Sequence, residues 1–96
     1  PEVAASPGSL ELDRVSESAV HETLARVIGL IVDEPEEIDL EEIPGRDSTL
    51  FELQVAPEDL GKVIGRQGRT ARALRSLLAA RGSRDGERYE LEIIET

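Results

Sequence analysis

The four residues Gly65-Arg66-Gln67-Gly68 pair two glycines with one basic and one neutral polar residue, a spacing that suits contact with a phosphate. Glycine at both ends removes side chains that would hold an anion away and permits backbone angles that other residues resist. If a helix starts at Arg69, its first amides have no intrahelical partner and carry the positive end of the helix dipole, which makes an anion site. Arg66 and Arg69, with Lys62 one turn back, add charge-assisted donors around it, and Arg72 extends the row. Val63 and Ile64, with Ala71, offer an apolar wall against which unstacked bases lie. The same four residues would also serve as a plain tight turn between two helices, so the surroundings decide.

Other phosphate patterns fail. A P-loop needs G-x-x-x-x-G-K-[ST], but Gly68 is followed by Arg69 and Thr70, and Val63 stands where the first glycine belongs. Val63 also breaks the Rossmann G-x-G-x-x-G pattern. With no cysteine and one histidine, His21, neither a thiolate metal site nor a catalytic triad is expected. The acidic run Asp33, Glu34, Glu36, Glu37, Asp39, Glu41 and Glu42 lacks the spacing of a calcium loop and reads as a solvated face. No metal, cofactor, small-molecule substrate or enzymatic activity is expected.

A formal charge of -10 argues at first against a nucleic-acid partner. Its distribution reverses that argument. Residues 1–56 hold fourteen acids against Arg14, Arg26 and Arg46, whereas residues 57–96 hold eight bases and seven acids. Between residues 61 and 84, Lys62, Arg66, Arg69, Arg72, Arg75, Arg81 and Arg84 occur without one carboxylate. This is a basic patch on an acidic body.

At 96 residues the chain makes one domain with one modest core. Residues 1–15 have a linker composition and are expected as a flexible N-terminal tail, with the domain at 16–96. Ser16 or Ser18 is suited to cap a first helix, whose apolar face is Val20, Leu24, Val27, Ile28 and Ile31, and which must end before Pro35. His21 reads as a surface or boundary residue of that helix. Ile38 and Leu40 alternate with acids as a first strand, Pro44–Ser48 reads as a turn, and Phe51, Leu53 and Val55 alternate as a second. A short helix starts at Pro57, and after the glycine loop a third runs from Arg69 to about Arg81, with Gly82 as its stop. Its Ala71, Leu74, Leu77 and Leu78 fall on one side, while Arg69, Arg72 and Arg75 fall on the other. Ser83–Glu87 then reads as a loop before a last strand with Tyr89, Leu91 and Ile93. Tyr89 and Phe51, the only aromatics, look like core residues. The order αββααβ implies an α+β fold, with a mixed three-stranded sheet and helices packed on one face.

The run Val55-Ala56-Pro57-Glu58-Asp59-Leu60-Gly61-Lys62-Val63-Ile64-Gly65-Arg66-Gln67-Gly68-Arg69-Thr70-Ala71-Arg72-Ala73-Leu74-Arg75, with Asp33–Glu37 before it, resembles the small bacterial KH-domain proteins of the KhpA type. The likeness spans about residues 19–95. It implies a type II KH fold and non-catalytic binding of single-stranded RNA by Lys62, Val63, Ile64, Gly65, Arg66, Gln67, Gly68, Arg69 and Arg72. It further implies a cytoplasmic RNA chaperone or post-transcriptional regulator that forms a homodimer, or a heterodimer with the larger KH protein KhpB, and has no membrane contact. One departure is Ala71, where KH domains often carry isoleucine. A different expectation is a KH-fold dimerisation or scaffold module with little RNA affinity. Aspartate at both Gly65 and Gly68 is expected to leave the fold intact and abolish RNA retention.

Overall fold

A computed structural model describes residues 18–95; the expected tail at 1–15 and the candidate cap Ser16 lie outside them. The first helix, α1, spans Ala19–Gly29, and Ser18 caps it by accepting the His21 amide at 3.1 Å. A short 3-10 turn at Pro35–Glu37 leads into β1 (Asp39–Pro44), which a tight turn joins to β2 (Thr49–Gln54). In that turn Gly45 donates its amide to the Ser48 carbonyl at 2.8 Å. A second 3-10 turn, Pro57–Asp59, continues directly into α2 (Leu60–Ile64). After the glycine loop come α3 (Arg69–Asp85) and β3 (Tyr89–Ile93).

The sheet order is β1-β2-β3, antiparallel between the first pair and parallel between the second. The pairing follows from the connections, since a tight turn reverses the chain while the two-helix crossover restores its direction. Leu40 faces Leu53, and Phe51 faces Leu91, so alternate residues of all three strands meet Val20, Leu24, Ile28, Leu74 and Leu78 of the helices in one core. The expected α+β arrangement with a mixed sheet is the one observed. On the opposite sheet face, Glu41 pairs with Glu52 and Glu52 with Glu92, a row of three carboxylates across the strands. Among the described residues no helix is long and apolar enough to cross a membrane.

Three local expectations need correction. The helix α3 passes through Gly82 and ends at Asp85, so the loop expected at Ser83–Glu87 begins only at Gly86. Gly86 takes the left-handed conformation, with φ 70°, that closes the helix. Gly82 is glycine for another reason. The Glu87 amide returns to its carbonyl at 2.8 Å, and a Cβ there would sit 2.5 Å from the Glu87 carbonyl oxygen. Leu77, expected on the packed side of α3, is 61% exposed. His21, expected at the surface or its boundary, is buried and donates from Nε2 to the Leu40 carbonyl at 2.6 Å, joining α1 to β1. Phe51 is fully buried and meets the Tyr89 ring edge-on at 5.8 Å.

Candidate nucleic-acid interface

The helix α2 is stopped at Gly65, whose φ of 79° and ψ of 168° lie in a region open essentially to glycine alone. The bend is held by the Gly65 amide on the Gly61 carbonyl at 2.8 Å and by the Gly68 amide on the Gly65 carbonyl at 3.0 Å. Gln67 and Gly68 are both left-handed, with φ 56° and 74°. For Gln67 this costs strain, which persists because the loop is fixed at both ends. No side chain caps the start of α3 at Gly68, which leaves first-turn amides for an outside acceptor.

The two glycines differ. A Cβ on Gly65 would overlap the Thr70 hydroxyl and lie 2.7 Å from the Thr70 amide nitrogen, whereas one on Gly68 would meet only the end of the Arg72 guanidinium at 3.3 Å. Aspartate at both positions therefore cannot leave the fold undisturbed. At position 68 only the flexible end of Arg72 has to give.

Around the loop the side chains of Arg66, Gln67, Arg69 and Arg72 are exposed. Arg69 donates from Nη2 to the Gln67 carboxamide oxygen at 3.3 Å, which holds both side chains across the bend. Among the described residues no ion pair involves Arg66, Arg69 or Arg72. Three other bases of the run are engaged. Arg75, expected on the outward side, donates from Nε to the Leu91 carbonyl of β3 at 3.2 Å, and Arg81 pairs with Asp85 at 2.9 Å.

Lys62 is engaged too, 3.2 Å from Asp33 and 3.5 Å from Asp59. Hydrogen bonding to Asp33, then its charge, holds the Lys62 ammonium above its ordinary range. Asp59 has no exposed surface, and its two oxygens accept the Asp33 and Glu34 amides at 3.1 and 3.0 Å. The amide of Asp33 is the main cause that keeps this carboxyl below its usual range, against the opposing effect of burial. Val63 is fully buried and Ala71 nearly so, so of the expected apolar wall only Ile64 reaches partway to the surface. Sequence reasoning missed Asp59, whose partners lie 25 and 26 residues away and leave no local signal.

The KH domain of KhpA and KhpB matches residues 21–93. This chain belongs to that family. It is 46% identical over 74 residues to the RNA-binding protein KhpA of Chlamydia trachomatis, covering 77% of this chain and 95% of that one. The RNA-binding protein KhpA of Clostridium acetobutylicum is 45% identical over 73 residues, covering 76% and 93% of the two chains. That of Treponema pallidum is 46% identical over 74 residues, covering 77% and 92%. No solved structure gives a significant match.

Proposed function

We propose that this KH-family chain binds single-stranded RNA without catalysis, holding about four nucleotides along Gly65, Arg66, Gln67 and Gly68. The observation that carries the reading is the bare bend itself, where the uncapped start of α3 adjoins Arg66, Arg69 and Arg72, none of them paired with a described carboxylate. Backbone amides and guanidinium groups together suit a sugar-phosphate chain, and Ile64 offers a partly exposed apolar edge to one base. Val63 supports the loop from the core, and Lys62 flanks it. Relatives named RNA-binding proteins support the same partner. The cellular role proposed is that of a cytoplasmic RNA chaperone or post-transcriptional regulator.

Gly68→Asp tests the site without breaking the loop, because aspartate tolerates the left-handed conformation and the only atom a Cβ would meet, at 3.3 Å, is the end of the flexible Arg72 side chain. In fluorescence anisotropy with a short single-stranded RNA, the folded variant should lose binding. Undiminished affinity would remove the loop from the mechanism.

One observation favours a second reading, association with another KH chain. An apolar groove of about 290 Å³ runs between α1 and α3, lined by Val20, Leu24, Val27, Leu74, Leu77 and Leu78. A second copy, or the larger partner KhpB, covering this groove would bring two loops into one complex and raise avidity for RNA. Sedimentation at rising concentration, with and without RNA, separates association from RNA binding.

A further inference from the structure

The helix that stops before Gly65 is five residues long, too short for its own hydrogen bonds to hold its direction. Something outside it must do so. We infer that Asp59 is the positioning residue for the Gly65–Gly68 loop, and that Lys62 serves Asp59 as counter-charge instead of contacting RNA; this rests on the clamp reading above.

The carboxylate of Asp59 accepts the amides of both Asp33 and Glu34, so one buried side chain ties the turn after α1 to the residue that precedes α2. Four residues on, Val63 is fixed in the core with no exposed surface. A short helix anchored at Asp59 and Val63 leaves its last residue, and the glycine after it, little freedom. Lys62 projects between the anchors, with its Nζ within 4 Å of the carboxylates of Asp33 and Asp59. Two carboxylates around one ammonium make a cluster of net negative charge. Such a cluster repels phosphate, and drawing the ammonium away would leave a buried carboxylate with less compensation. Arg66, Arg69 and Arg72 carry no such obligation to a described carboxylate. The depressed Asp59 pKa and raised Lys62 pKa agree with this division of labour.

The test titrates the full chain with a short single-stranded RNA of mixed sequence over a series of salt concentrations, and records amide spectra of the free protein. Arg66→Ala should reduce the slope of log affinity on log salt by about 0.7, the value for one phosphate of a single strand. Lys62→Met should lower affinity several-fold yet change that slope by less than about half as much. Without RNA, Asp59→Asn should displace the amide resonances of Asp33, Glu34 and the Gly65–Arg69 loop. Should Asp59→Asn fail to fold, Asp33→Asn, at an exposed side chain, should displace the same loop resonances to a smaller degree. A slope loss for Lys62→Met equal to that for Arg66→Ala overturns the inference. So do unmoved loop amides in the folded variants. If Arg66→Ala leaves the slope unchanged, the clamp reading fails by itself, and the RNA-free spectra decide whether Asp59 positions the loop.

Discussion

Alanine at position 65 should be far more damaging than alanine at position 68, although the two glycines bound the same loop. At Gly65 the backbone angles cost any other residue about 1–3 kcal/mol. The new Cβ would also lie 2.7 Å from both the Cβ and the amide nitrogen of Thr70, atoms that cannot swing aside, so the first turn of α3 has to shift. Forcing a methyl into a filled space typically costs about 1–3 kcal/mol more, for a total of about 2–6 kcal/mol. A domain of 96 residues is stable by only about 5–14 kcal/mol. Near the middle of that range of costs, the melting temperature should fall by roughly 15–30 °C. At Gly68 the ordinary left-handed region costs about 1–2 kcal/mol, and the flexible Arg72 side chain can yield. Thermal and urea unfolding followed by circular dichroism measures both variants. Adding Thr70→Ala to Gly65→Ala should rescue only part of the loss, because the Thr70 hydroxyl leaves while the Cβ and amide nitrogen remain. Equal costs at the two positions, or a Gly65→Ala loss under about 1 kcal/mol, would refute the steric argument.

Gly82→Ala should destabilise the chain in urea titrations by about 1 kcal/mol or more, although alanine for glycine inside a helix normally gains nearly that much, because its Cβ would press on the Glu87 carbonyl. A gain in stability would show that the turn into β3 is looser than described. The folded-state pKa of Asp59 lies below its ordinary 3.8, so its contribution is complete above that pH and is lost as pH falls through the lower folded value. Asp59→Asn should accordingly flatten the acid limb of the urea midpoint plotted against pH, and a limb as steep as that of the parent chain would contradict the assignment. Leu77→Lys should change stability by less than about 0.5 kcal/mol, since the side chain is mostly exposed, yet reduce self-association in sedimentation if α1 and α3 form an interface. Unchanged association would remove Leu77 from that surface.

Much of the fold is written in local pattern. The alternation of Phe51 and Leu53 marks β2, and the stripe from Val20 to Ile28 marks α1, because burial on one face needs those periods whatever lies opposite. The glycine loop was legible for the same reason, since its backbone angles and side-chain-free approach are properties of the residues themselves. What escaped depends on partners distant in the chain or on spatial fit. Gly82 and Gly86 look alike in sequence, yet one serves a close approach and the other a left-handed turn. His21 is buried because the Leu40 carbonyl awaits it. Leu77 shares its helical face with Leu74 and Leu78, but it lines the open groove between α1 and α3 and stays mostly exposed. Lys62 reads as one cation among seven until Asp33 and Asp59 are found beside it.

The row of Glu41, Glu52 and Glu92 lies on the sheet face turned away from the helices. Like charges on adjacent strands oppose one another, so these three cost the sheet some stability. They also give the molecule a polarity that no single contact supplies. At physiological ionic strength a surface potential fades over about 8 Å, so a polyanion drifting sheet-first is turned back before it touches, while one meeting the guanidinium side is drawn inward. If the bend between α2 and α3 holds RNA as proposed, the domain sorts approaching strands by direction, and its collisions with them are weighted toward the one orientation in which that bend leads.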